Sequence, residues 1–171
     1  GGTKRAEKIR KIILDDYFQK NNREKFHKYT DTLLYLAARN EHIENKIKPA
    51  LKSKKIVICD RFIDSTYSYQ VYGKKVNKNL IDTVHKYILG NLKPNLTFVL
   101  KMKISKALIR IKNRRTKNRY DKFSKSFYIK AQNAFLKIAK KNKSKYKIFD
   151  NSNDDNKIHN KILKIVEKKI N

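Results

Sequence analysis

Three short apolar runs, set between longer stretches of helical periodicity, constrain this chain more than any other feature. The runs are Ile56-Val57-Ile58-Cys59, Asn95-Leu96-Thr97-Phe98-Val99-Leu100 and Tyr146–Asp150. A continuous apolar run of this length fits a strand covered on both faces, as in parallel sheets. Before the first run, Ile9, Ile12, Ile13 and Tyr17 recur at helical spacing and predict a helix over Arg5–Lys20. A second helix is predicted from about Glu24 to Leu51, with Leu33, Leu34, Ala37, Ala38, Ile43 and Ile47 on its inner face and Pro49 near its end. Helical pattern returns over Ser65–Tyr72, Leu80–Leu89, Phe123–Lys140 and Asn156–Ile170, and Ser105 reads as the N-cap of a helix through Ile111. Strands alternating with helices predict an α/β fold with a parallel sheet flanked by helices. At 171 residues, with no repeat and no Pro/Ser/Gly-rich linker, the chain reads as a single domain over residues 1–171.

The balance of 44 Lys+Arg against 15 Asp+Glu gives a formal net charge of +29, which suits an anionic partner. Lysine, isoleucine, asparagine and tyrosine all have A/T-rich codons, so nucleotide bias supplies the same charge without a function. Cys59 is the only cysteine, so no internal disulfide forms and a reducing compartment fits. No apolar stretch is long enough to span a bilayer and no signal peptide is present, so a cytoplasmic protein without membrane attachment is expected. The four histidines, His27, His42, His85 and His159, show no metal-ligand grouping and read as surface or boundary residues.

Ligands of open α/β sheets bind beyond the carboxyl ends of the strands. Asp60 and Arg61 stand at that end of the first run. Arginine offers a planar fork for phosphate, and aspartate holds Mg²⁺, often through water. If the next segment is helical, Ser65 and Tyr69 share one face, and Thr66 and Gln70 another, a set that suits a sugar and a base edge. Tyr35 and Arg39, also four apart, can stack a base and hydrogen-bond its edge; core packing and a snorkelling arginine would give the same pattern. The basic, polar stretch 113–122 carries Arg114, Arg115 and Arg119 and reads as a solvated loop or as a lid that brings arginines onto a transferring phosphoryl group. The chain uses lysine for most of its positive charge, and its few arginines concentrate in these places, where guanidinium geometry matters.

In series these motifs resemble the thymidylate kinases, a family of P-loop nucleoside monophosphate kinases. Gly1-Gly2-Thr3 with Ala6-Glu7-Lys8-Ile9-Arg10 is similar to the end of that family's Glu-Pro-Gly-Gly-Thr segment and its next helix. Leu33–Arg39 resembles the base-binding helix, in which phenylalanine usually stands where this chain has Tyr35. Ile47–Leu51, Cys59–Phe62 with Asp64, Ser65, Tyr69 and Gln70, Pro94–Thr97, and Arg114–Asp121 resemble the family's later segments in order. The resemblance implies a three-layer P-loop sheet and ATP-dependent phosphorylation of dTMP to dTDP, with Mg²⁺, in dTTP synthesis. It implies that Arg61 binds the dTMP phosphate with Arg10 assisting, that Tyr35 stacks on thymine, and that Arg39 hydrogen-bonds its exocyclic oxygen. Ser65, Thr66, Tyr69 and Gln70 would line the sugar and base pocket, Tyr69 crowding the 2′ position. Asp60 would hold Mg²⁺. Arg61 and one or more of Arg114, Arg115 and Arg119 would act in catalysis, the latter three from the lid. A homodimer through the helices is implied too, and no specific nucleic acid.

The departures are Val71 where glycine is usual, with Gly73 two positions on, Asn95 at the strand entry, and Asn118 for aspartate. No Gly-x-x-x-x-Gly-Lys-Ser/Thr loop is present. In the family that loop follows the first strand, so the expectation is a chain clipped at its N-terminus by one βαβ unit, about 35–40 residues. The strands at Ile56 and Leu96 would then flank an empty slot, and these residues alone would bind ATP phosphates poorly and be unstable. The alternatives are another nucleotide or nucleoside kinase of the same fold, or a non-catalytic basic domain that binds nucleic acid with strong salt dependence.

Overall fold

A computed structural model of the chain describes residues 2–15, 26–115, 118–153 and 156–170. Helix α1 is Lys4–Asp15, its first turn closed by Thr3, whose Oγ1 accepts from the Ala6 amide at 3.0 Å. The rest of the helix predicted to Lys20 lies outside the described residues. Helix α2, Lys28–His42, runs without a break through a π-turn segment, Ile43–Ile47, into α3, Lys48–Lys52. Pro49 lies in α3 directly after that π segment. Helix α4, Ile63–Thr66, likewise continues into a second π segment, Tyr67–Gly73. Helix α5 is Lys78–Leu89, capped by Asn77, whose Oδ1 accepts from the Asn79 amide at 2.8 Å.

Strand β1, Thr97–Lys101, leads to α6, Ile104–Lys112. A 3-10 turn, Arg119–Lys122, precedes α7, Lys125–Lys141. Strand β2, Tyr146–Asp150, and α8, Asn156–Ile170, complete the order. β1 and β2 pair in parallel, Thr97 opposite Tyr146 through Lys101 opposite Asp150. The expected α/β class with a parallel sheet is therefore present, as a two-stranded sheet among the described residues.

α1 packs against α2, and Ala6 and Ile13 of α1 are fully buried. Leu36, Val76 and Ile81 form a second core, covered by Tyr29, Tyr67, Val71, Val84 and Ile88. α7 lies across the second π segment, and Gly73 makes this possible: a Cβ there would come within 2.5 Å of the Phe127 ring. The glycine displaced from position 71 thus has a packing reason at position 73.

Three local expectations change. The predicted strand Ile56–Cys59 has no ladder, and Ile58 is 91% exposed. Apolar patterning reports a tendency to be covered, but a strand exists only where a neighbour takes its backbone hydrogen bonds, and none runs beside it among the described residues. The buried face of α2 is Asp31, Thr32 and Leu36, continued by Ile43 and Ile47, while Leu33 is 49% exposed and Ala37 faces out. The helix is rotated because it buries a charge network, described below, along with its apolar stripe. Ser105 lies inside α6, whose N-cap position is Lys103 with no side-chain cap.

Candidate active site

The two stretches that sequence patterning singled out, one in α2 and one after Asp60-Arg61, meet through Arg39. Its Nη1 donates to Thr66 Oγ1 at 2.6 Å and its Nη2 to the Phe62 carbonyl at 3.0 Å, with the guanidinium 5.6 Å from the Phe62 ring centre. Nη1 also donates to His85 Nε2 at 2.9 Å. No carboxylate forms an ion pair with Arg39 among the described residues, and burial pulls its pKa down to about 10, against the smaller opposing pull of Cys59 and Asp64. Asp64, half-buried, accepts from Tyr146 Oη at 2.9 Å and has a raised pKa, chiefly from burial.

Arg61 stands at φ +64°, a backbone region that non-glycine residues seldom occupy. That geometry sends its Nη1 to Tyr69 Oη at 2.9 Å, with the guanidinium 5.4 Å from the Tyr69 ring centre. Strain of this kind collects at functional sites. The π segment bearing Tyr69 is a second such mark. Tyr69 packs edge-on against Tyr120, and the Tyr120 hydroxyl donates to Tyr35 Oη. Burial raises the Tyr35 pKa to about 12, so both phenols remain protonated at neutral pH. Thr66 and Gln70 are buried, and the buried Ser65 Oγ has no hydrogen-bond partner among the described residues. Asp60 is exposed and pairs with no cation among the described residues. Arg10 makes a solvent-facing pair with Glu7 at 3.7 Å, and its charge reaches the Tyr35 hydroxyl.

The three arginines of the stretch 113–122 divide sharply. Arg114 lies 3.7 Å from Asp121, and Arg115 is exposed. Arg119 is 1% exposed; its Nη1 donates to Asp31, which is wholly buried, and at 3.0 Å to the Ile13 carbonyl. Lys74 supplies a second cation to Asp31. Arg119 therefore ties the 3-10 turn to α1 and α2 and does not reach outward from it. Asn118, the departure from aspartate, caps that turn: its Oδ1 accepts from the Tyr120 amide at 2.9 Å, and asparagine does this as well as aspartate.

Sequence reasoning missed Asp31, Lys74 and His85. His85, expected at the surface or boundary, is 4% exposed. A signal was present, since Ile81, His85 and Ile88 share one face of a helical repeat. For Asp31 and Lys74 no local signal exists, because Asp31 pairs with Lys74 and Arg119, both distant from it in sequence.

Residues 1–162 match the family model described as thymidylate kinase. Thymidylate kinase of Mycoplasma capricolum subsp. capricolum is 36% identical over 99% of this chain and 78% of its own length. That of Wolbachia pipientis subsp. Culex pipiens is 38% identical, with the same coverage. The crystal structure of thymidylate kinase from Ehrlichia chaffeensis superposes with a TM-score of 0.71 at 30% identity, covering 98% of this chain and 76% of that one. The chain belongs to the thymidylate kinase family.

Proposed function

We propose that this protein transfers a phosphoryl group from ATP to dTMP, giving dTDP and ADP, and that the cluster around Arg39, Arg61 and Tyr69 is the dTMP site. The observation that carries the reading is the convergence on Arg39 of Thr66 and the Phe62 carbonyl, which places the α2 residues beside those after Asp60-Arg61. In this reading Arg61 grips the dTMP phosphate, with Arg10 adding positive charge from α1. Tyr35 stacks on thymine and Arg39 donates to its exocyclic oxygen through a hydrogen not used by the protein. Ser65, Thr66 and Gln70 line the pocket, and the unpartnered Ser65 Oγ is suited to a ligand. Tyr69, already held by Arg61, limits room at the 2′ position. Arg114 and Arg115 remain candidates for closing over ATP; Arg119 holds the base of that segment through Asp31.

Mg²⁺ fits one residue of this set. Asp60 is an exposed carboxylate next to Arg61, and magnesium sites of kinases use one or two carboxylates together with substrate phosphates. When bound, the ion neutralises phosphate charge. No group of three or more His, Cys, Asp or Glu suited to a metal occurs among the described residues, so nothing beyond Asp60 is assigned. Phosphoryl transfer then rests on positioning and charge neutralisation by the arginines.

The wider reading is a P-loop sheet of three layers, a cytoplasmic setting and a homodimer, for which the exposed Leu33 on α2 offers contact surface. No helix among the described residues is long and apolar enough to cross a membrane. Family membership favours the kinase over a nucleic-acid-binding domain. The test is phosphorylation of a panel of monophosphates by the intact protein with ATP and Mg²⁺. dTMP is the expected preferred acceptor; preference for any other would overturn the assignment.

A further inference from the structure

Arg39 reaches its position with an unusual set of partners. A guanidinium has five N–H donors and no acceptor. Here one Nη1 hydrogen goes to Thr66, the other to His85 and one Nη2 hydrogen to Phe62, all neutral acceptors. Nε–H and the second Nη2–H have no protein partner among the described residues. Two donors of the planar group are thus left over, and the plane in which they lie is fixed by the three bonds.

His85 is the one of the three that a different helix supplies. It comes from α5, on the face that carries Ile81 and Ile88 into the core. Because Arg39 only donates, His85 Nε2 must be the unprotonated nitrogen, so Nδ1 carries the hydrogen. The Tyr67 ring packs against the imidazole at 5.5 Å, edge-on, and the Tyr67 hydroxyl donates to Asp82 at 2.8 Å. α5 therefore presents Asp82 and His85, one turn apart, as a back wall that holds Tyr67 and, through His85, Arg39. A carboxylate at position 85 would bond Arg39 too, but it would neutralise a charge that an electron-rich base edge could otherwise use. A neutral acceptor fixes the plane and leaves the charge available.

We propose that neutral His85 is a positioning residue for dTMP specificity, acting through Arg39 to fix the plane in which its unused N–H donors meet the base. This rests on the dTMP-site reading given above. Burial, with the Arg39 cation next and Asp82 opposing, holds the His85 pKa near 4, which keeps it an acceptor at neutral pH.

The test uses the intact protein and three variants. His85→Leu removes the acceptor and is expected to raise KM for dTMP about tenfold, with kcat within about threefold and KM for ATP unchanged. His85→Gln restores an acceptor and is expected to recover most of that loss. An unchanged KM for dTMP in His85→Leu, or no recovery by a folded His85→Gln, overturns the proposal. Should His85→Leu fail to fold, the imidazole ¹⁵N spectrum of the unaltered protein decides: Nδ1–H with bare Nε2 is expected, and a protonated Nε2 overturns it. Arg39→Gln separates the two levels. If it leaves KM for dTMP unchanged, the site reading itself fails; if it raises KM while His85→Leu does not, only the role of His85 fails.

Discussion

Arg115 and Arg119 are near neighbours in one basic stretch, yet they meet opposite environments. Arg115 lies in solvent, while Arg119 is enclosed with Asp31 and the Ile13 carbonyl. Removing Arg119 leaves buried Asp31 with Lys74 and takes the donor from the Ile13 carbonyl, at a cost of about 1–3 kcal/mol for the lost buried charge-assisted bonds. Arg119→Met is therefore expected to destabilise the protein by that amount in urea unfolding, whereas Arg115→Met changes stability by less than about 0.5 kcal/mol. Equal effects would show that the enclosed network contributes nothing special. His85 makes a pH prediction. Its folded pKa, about 4, lies below the ordinary 6.5, so the unfolded chain binds the proton more tightly. Its contribution is complete above the unfolded value and is lost as pH falls from about 6.5 towards 4, on the order of 3 kcal/mol in all. In His85→Gln that part of the acid slope should vanish; an unchanged stability–pH curve would sink this account. Residue type and spacing singled out Arg39 and Arg61 as candidates for the proposed site. The fate of Arg119 was not, because basicity looks the same in sequence whether the side chain ends in water or against a carboxylate.

Helix positions followed from periodicity closely enough to place every motif, and α8 and β2 lie where the pattern put them. The π segment Tyr67–Gly73 was not legible, since the phase shift it introduces falls within too few residues to show in the apolar pattern. Its use is geometric: it carries Tyr69 towards Arg61 and leaves Gly73 under the Phe127 ring. Gly73→Ala is expected to cost about 1–3 kcal/mol through overpacking against Phe127. Gly90→Ala meets no neighbour within 4 Å but strains a backbone at φ +54°, so it should cost about 1 kcal/mol. Thermal unfolding of the two variants checks the ranking; a milder effect at Gly73 would count against the close packing of α7 on this segment. The Ile56–Cys59 run shows the converse limit, an apolar pattern that predicted a strand where none forms among the described residues.

At the scale of the molecule, a net charge of +29 acts against compaction. Raising NaCl from about 0.1 M to about 1 M shortens the screening length from about 10 to about 3 Å. Tm should therefore rise by several degrees over that range, and a flat or falling Tm would remove self-repulsion as a factor. The sequence alone determined the α/β class, the order of the elements other than the unformed Ile56–Cys59 strand, and the residue sets put forward for the proposed site, because periodicity and motif spacing act over a few residues. The tertiary structure alone decided which polar groups are enclosed together. Arg39 meets His85 across 46 positions, and Arg119 meets Asp31 across 88 and Ile13 across 106. Such pairings depend on how helices are rotated when they pack, and that rotation is chosen by the whole set of buried partners at once.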